Sequence, residues 1–279
     1  MSVIFKWNES DMESLLATCH DDDVWPLIQK YFPSGSRLLE AGCGAGRWVR
    51  FLSDVGYKVT GLEYSDDTVQ MVRKVWPDID VKQGDCEASP FQANSFDGVL
   101  SFGVIEHWID GPEKPLADMY RVLKPGSVAL ITVPCLNTVR RLKRSLFWDE
   151  LTQGPRAFAV WLIKGEPKPL SRLNKGYRYA VFPALGNFFE YRMTPKEFEV
   201  EIERAGFEIE EHLPVAIMDG VYHELNPFGL LVRFVGWKFH PTWIARYLNS
   251  ILMRRPFVHP HMQAVIARKP KLSKGNAVV

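Results

Sequence analysis

The sequence predicts an α/β fold in which a doubly wound, mostly parallel sheet carries helices on both faces, with two insertions added to it. Three observations carry this reading. Short apolar strand patterns alternate with amphipathic helical patterns from residue 37 to about 135. A glycine-rich turn, GCGAG at 42–46, joins one such strand to one such helix. A chain of 279 residues, 46% hydrophobic, is long enough to bury one large core.

Residues 37–41 (RLLEA) read as a short buried strand, and RWVRFLSDVG as a helix with Trp48, Phe51 and Leu52 on one face and Gly56 as its stop. YKVTGLE is a second strand, SDDTVQMVRKVW a helix opened by Ser65, IDVKQGD a third strand and FDGVLSF, at 96–102, a fourth. A helix over 115–123 closes at Lys124, Pro125 and Gly126, and SVALITVP is the fifth strand. The alternation stops near 136 and resumes at MTPKEFEVEIERAGF, where Thr194, Pro195 and Glu197 give a capping-box start and Gly206 an end. FEIEEHLPV is a sixth strand and HMQAVIARKP, at 261–270, the last. This predicts a single domain: an N-terminal helical segment over 1–35, a core over 36–135, 190–215 and 261–270, and cap insertions at about 136–189 and 216–260.

A formal charge of +1 gives no whole-chain signal for nucleic acid. Cys19, Cys43, Cys86 and Cys135 form no C-x-x-C pair, which argues against zinc and against a secreted disulfide framework and suits reduced thiols in a cytoplasm. The N-terminus shows no signal-peptide pattern and the chain no 18-residue apolar run.

Gly42, Gly44 and Gly46 remove three β-carbons from a strand-to-helix turn, so a ligand can lie against the main chain. A dinucleotide fingerprint would need glycine at position 47, where the chain has Arg47, which weighs against a nicotinamide oxidoreductase. EAGCGAG at 40–46 resembles the first motif of class I S-adenosylmethionine-dependent methyltransferases. VTGLEYS, QGDCEASPF at 83–91 and FDGVLSFGVIEHW at 96–108 are similar to that family's later motifs, in order, and RVLKPGSVALITVP agrees with it. The resemblance implies a Rossmann-like, seven-stranded, mostly parallel sheet with an antiparallel last strand, and S-adenosylmethionine as cofactor, released as S-adenosylhomocysteine. It implies that the glycine turn (Gly42, Cys43, Gly44, Gly46) admits the methionine end and that Glu40 favours its ammonium. It further implies that Glu63, with Tyr64 beside it, takes the ribose hydroxyls, that Asp85 and Cys86 hold the adenine, and that Ser101 and Phe102 line the methionine end. For Glu40 a capping role is the alternative.

Methyl transfer from a sulfonium asks the protein mainly to position a nucleophile and exclude water. His107, five residues beyond the fourth strand, is the candidate general base, the alternative being a structural hydrogen bond with Glu106 to the turn. In FFEYRMTP, Tyr191 and Arg192 are candidate substrate contacts, with surface pairing of Arg192 as the alternative. His223, with Glu224, is a further candidate acid-base pair. No H-x-x-x-H spacing or compact cluster supports a metal.

Between Arg140 and Arg178 stand ten Lys or Arg residues against three acids. VRRLKRSLFWDEL patterns as a basic amphipathic helix, suited to an acidic substrate or an anionic membrane surface. HPTWIARYLNSILMRR patterns as a helix opened by Pro241, with Trp243, Ile244, Tyr247, Leu248, Ile251 and Leu252 on one stripe that would pack as a lid. The expected function is methyl transfer by in-line displacement to a small acceptor, at oxygen before nitrogen, the acceptor apolar, anionic or lipid-linked. Alternatives are N-methylation of a small molecule or RNA, an oxidoreductase, or a cofactor-binding module without catalysis. The reading leaves oligomeric state open, disfavours nucleic acid as a partner, and leaves peripheral membrane contact open.

Overall fold

A computed structural model describes residues 7–108, 110–145, 170–174, 177–182, 188–226 and 229–271. The N-terminal segment carries helices α1 (Met12–Leu16) and α2 (Trp25–Tyr31). The alternating core follows as β1 (Arg37–Ala41), α3 (Arg47–Asp54), β2 (Lys58–Glu63), α4 (Asp66–Val75), β3 (Asp80–Gln83), β4 (Phe96–Phe102), α5 (Glu113–Val122) and β5 (Leu123–Pro134). Ser65 caps α4 by accepting the Thr68 amide.

After β5 come α6 (Thr138–Ser145), β6 (Leu170–Asn174), β7 (Tyr177–Phe182), β8 (Phe188–Arg192) and α7 (Pro195–Arg204). Thr194 and Glu197 form the reciprocal capping box at the start of α7. The chain ends through β9 (Glu208–Val215), α8 (Ile217–Leu225), β10 (Val232–Val235), β11 (Lys238–Pro241), α9 (Trp243–Leu252) and β12 (Met262–Arg268).

Seven strands form the main sheet in the order β3-β2-β1-β4-β5-β12-β9. β1 pairs parallel with β2 and β4, and β12 runs antiparallel to both β5 and β9. The expected Rossmann-like sheet with its antiparallel last strand is therefore the observed one. Trp48, Val49 and Leu52 from α3 pack with Val69, Val72, Met12 and Ile28 on one face. On the other, Leu116, Met119 and Val122 from α5 meet Phe198 and Ile202 from α7. Each buried side chain of this size contributes about 1.5–3 kcal/mol, so the two helical layers fix the sheet from both sides.

The insertions differ from the helical cap expected. The first contains the antiparallel sheet β6-β7-β8, and the second a hairpin, β10-β11, ahead of α9. Pro241 ends β11 rather than opening the helix; Thr242 is the cap, its hydroxyl accepting the Ala245 amide. Most of the stripe on α9 faces outward: Trp243, Ile244, Tyr247 and Ile251 are exposed, Leu248 and Leu252 are half-buried, and in this helix only Ala245 is buried. Of the basic amphipathic segment, α6 is described to Ser145, while residues 146–151 lie outside the described residues.

Candidate functional site

All the residues expected at the cofactor stand at the carboxyl ends of β1, β2, β3 and β4, on one edge of the sheet. The strand order turns back there, because β1 lies between β2 and β4, and in open α/β sheets that is the position at which ligands bind.

The glycine turn after β1 is built from backbone. The Gly42 and Cys43 amides both donate to the Leu62 carbonyl, at 2.8 and 2.9 Å, fixing the turn to the end of β2. Gly42 and Gly44 have φ of +77° and +51°, the left-handed region that costs a residue with a β-carbon about 1–2 kcal/mol. A β-carbon on Gly42 would stand 2.6 Å from Val104 Cγ1, and one on Gly44 would stand 2.9 Å from the Trp7 indole. Val104 and Trp7 thus close on bare main chain from two sides. No periodicity or motif in the sequence singled either residue out.

The Gly44 amide donates to Glu63 Oε2 at 3.0 Å, and the Ser65 amide to Glu63 Oε1 at 2.9 Å. Burial raises the Glu63 pKa, while these two amides and that of Tyr64 oppose it. Each carboxylate oxygen keeps a second acceptor position, which suits two neighbouring hydroxyls. Glu40, 3% exposed, has one oxygen, Oε2, with no hydrogen-bond partner among the described residues. Burial pushes its carboxyl up to about 8, against the opposing charge of Arg47. A buried, half-partnered carboxyl beside a glycine turn fits a ligand that brings a cation to that point. Arg47 itself pairs with Asp22 at 3.0 Å, so it tethers the N-terminal segment rather than the turn.

Asp85 Oδ1 accepts the Glu87 amide at 2.8 Å, which shapes the loop after β3, and Cys86 is buried beneath it, its thiol pushed up by that burial. Tyr64 is exposed and its carbonyl accepts from Gln83. Ser101 is fully buried with its hydroxyl unpartnered among the described residues, and Phe102 tilts against Trp48 with ring centroids 5.5 Å apart.

Beyond β4, the short helical turn Ile105–His107 packs against β8. Glu106 is 2% exposed, its Oε1 lies 3.9 Å from His107 Nε2, and burial raises its pKa well above the usual carboxyl value. Glu190 has the opposite fate. Burial raises it, but Arg192 Nε at 2.8 Å, with His261 and His107 nearby, carries it below the ordinary range. His107 therefore stands close to one neutral and one ionised carboxyl group.

Arg192 is the partner of Glu190, whereas Tyr191 is fully buried between the sheet and α7 and presents no surface to a ligand. His223 does not pair with Glu224. Its Nε2 lies 3.1 Å from Asp219 Oδ1, one turn back on α8, and Glu224 is bound by Arg140 Nε. Arg140 is 6% exposed and also donates to the Cys135 carbonyl at 2.7 Å and to His261 Nδ1 at 2.8 Å. Arginine has no acceptor, so His261 is neutral with its proton on Nε2; burial and then Arg140 lower its pKa to about 4. Asp219, His223 and His261 bring three donor atoms close enough to hold a metal ion. Arg140, however, occupies the His261 lone pair that such an ion would require, and the arrangement favours a hydrogen-bonded network instead.

Residues 39–131 match the family model described as a methyltransferase domain. A probable S-adenosylmethionine-dependent methyltransferase of Mycolicibacterium smegmatis is 39% identical over 101 residues, which cover 36% of this chain and 39% of that protein. The chain thus spans about two-fifths of that relative's length. A 2-phytyl-1,4-naphtoquinone methyltransferase of Thermosynechococcus vestitus is 28% identical over 192 residues, covering 66% of this chain and 77% of that one. Among solved structures, an S-adenosylmethionine-dependent methyltransferase from Mesorhizobium loti superposes with a TM-score of 0.55 at 18% identity, covering 90% of this chain and 99% of the other, a likeness of fold.

Proposed function

We propose that this chain, whose residues 39–131 are a methyltransferase domain of the class I S-adenosylmethionine-dependent type, transfers a methyl group to an oxygen of a small, largely apolar acceptor. The observation that carries the reading is the pair of acids at the ends of β1 and β2: Glu40 with a buried, unpartnered oxygen, and Glu63 holding the Gly44 amide with acceptor positions to spare. An ammonium would meet the first and a ribose diol the second. Asp85 and Cys86 would hold the adenine, and Ser101 and Phe102 would line the methionine end.

When bound, S-adenosylmethionine supplies a methyl group already activated on sulfur, and S-adenosylhomocysteine leaves. The chain's own task is then to orient the acceptor, exclude water and take a proton. His107 is the residue we assign to the proton. Ionised Glu190 favours the imidazolium that forms, and neutral Glu106 adds no second negative charge to draw a proton away. Arg192 holds Glu190 in that state. Support for an apolar acceptor comes from the Thermosynechococcus relative, named for a quinone. Four unpaired, buried cysteines are in keeping with a reducing, cytoplasmic setting.

Titration calorimetry with S-adenosylhomocysteine, followed by transfer of labelled methyl to a panel of phenols, quinols and carboxylic acids, tests the reading. Cofactor binding and label in one oxygen acceptor class are expected. Absence of cofactor binding would remove the assignment, and label on nitrogen alone would remove the choice of oxygen.

A further inference from the structure

Among the described residues, most of the large apolar side chains on the surface fall in the second insertion. The second insertion, α8, β10, β11 and α9, has its own small core of Val221, Val232 and Ala245. Around that core it turns aromatic and aliphatic groups outward. Gly236 and Trp237, both at positive φ, make the two-residue turn of the β10-β11 hairpin and place Phe234, Val235 and Trp237 at its tip. On α9, Trp243, Tyr247 and Ile251 recur at every fourth residue along the outer face, with Trp243 76% and Tyr247 62% exposed. A groove of about 440 Å³, lined by Arg233, Val235, His240, Pro241 and Thr242, runs along the hairpin to the cap of that helix.

Charge distinguishes this surface from an ordinary apolar patch. No Asp or Glu occurs anywhere after Glu224. The same stretch places Arg233, Arg246, Arg254 and Arg255 at exposed positions among the apolar groups. Lys238, beside them, pairs with Asp21 at 2.9 Å. Indole and phenol rings, with one apolar and one polar edge, partition to the boundary between hydrocarbon and headgroup, and arginines beside them meet lipid phosphate. Two copies of the chain meeting through this face would bring like-charged arginines together, and the acid at its edge, Asp21, is already held by Lys238.

We propose that the β10-β11 hairpin and the outer face of α9 dock reversibly on an anionic lipid surface. Among the described residues no helix is long and apolar enough to cross a membrane, so the contact is interfacial. The unit also adjoins the turn after β4, where the proposed function puts the acceptor. Asp219 and His223 on α8 lie beside His261, which precedes Met262, whose Cε is within 3.6 Å of where a β-carbon of Gly103 would stand. A docked chain would hold that turn near the bilayer, where an apolar acceptor would be concentrated. The docking follows from the surface alone, so it stands or falls separately from methyl transfer.

The test is flotation of the full chain with vesicles of phosphatidylcholine alone and of equal parts phosphatidylcholine and phosphatidylglycerol, at low and at high salt. Flotation with the anionic vesicles at low salt is expected, weakened at least about tenfold by high salt or by removal of the anionic lipid. Trp243→Ser with Val235→Asp should abolish it, and Arg246→Gln with Arg254→Gln should weaken it by roughly fivefold per arginine. All four positions are exposed, so calorimetric binding of S-adenosylhomocysteine and the unfolding temperature should match wild type and report the fold independently. Failure to float on anionic vesicles at low salt would overturn the proposal, as would variants that float like wild type. A concentration-dependent dimer abolished by the same substitutions would overturn it too, by assigning the face to a second copy.

Discussion

The Gly44 amide donates to Glu63 Oε2 at 3.0 Å, so the turn after β1 and the last residue of β2 are one unit before any ligand arrives. Glu63→Ala removes the acceptor of that amide and of Ser65, and with it the proposed grip on the ribose. Cofactor affinity should fall by roughly 1–3 kcal/mol, about 5- to 150-fold, and the unfolding temperature should fall as well because two amides lose their acceptor. Calorimetry and thermal unfolding read the two effects. A loss of stability without a loss of affinity would leave Glu63 as a brace for the turn and nothing more.

Glu40 gives the cofactor assignment a proton to count. With its carboxyl raised to about 8, the folded chain keeps a proton between about pH 4.5 and 8 that the unfolded chain has lost, so stability falls as pH rises through that window. Glu40→Gln should abolish this part of the slope and raise stability near pH 8 by about 2–4 kcal/mol. An ammonium placed against Glu40 would pull its pKa down, so binding S-adenosylhomocysteine near pH 7 should release close to one proton. Binding enthalpies measured in buffers of different ionisation enthalpy count that proton, and an enthalpy independent of buffer would argue that no cation reaches Glu40.

His107 is expected to act through its proton, with Glu190 as a positioning residue. His107→Ala should reduce turnover by about 10²–10⁴-fold and leave cofactor affinity unchanged. Glu190→Gln removes the negative charge that favours the imidazolium, so the acidic limb of the rate profile should move to lower pH, a change that a merely structural contact would not produce. A fully active His107→Ala variant would leave the turn after β4 without a catalytic assignment.

Much of this arrangement was legible in the sequence because it is local. β1 spans the expected residues 37–41, the box of Thr194 and Glu197 caps α7, and the residues proposed for the cofactor follow one another at the ends of successive strands. Pairing at a distance was not legible. β6, β7 and β8 lie in the first insertion, and the hairpin β10-β11 reads only as an apolar run, since nothing local states which strand each will meet. The stripe on α9 was legible as a stripe, but periodicity cannot say whether another element covers it. Two expectations could have been sharper. Neighbours on a helix point about 100° apart, so His223 pairs with Asp219 at i−4 and not with Glu224. Alternation along β8 likewise sends Glu190 and Arg192 to one face and Tyr191 into the core.

The Arg140 guanidinium holds the second insertion to the sheet, with Glu224 on α8, the Cys135 carbonyl after β5, and His261 before β12 all on one side chain. Arg140→Ala takes the guanidinium away from Glu224, 7% exposed, and should cost about 3–5 kcal/mol. Arg140→Met with Glu224→Leu removes both charges and should recover most of that loss; urea unfolding of the three proteins measures it. His261 adds a pH dependence of known sign. Its pKa is lowered from 6.5 to about 4, so between those values the unfolded chain binds a proton the native chain refuses, and stability is lost as pH falls. Because 22% of the ring is open to solvent, the loss on going from pH 7 to 4 should be about 2 kcal/mol rather than the full shift, and His261→Gln should remove it. An unchanged slope in that variant would mean that Arg140 does not hold His261 neutral, and the double substitution would then fail to restore stability for want of a network to replace.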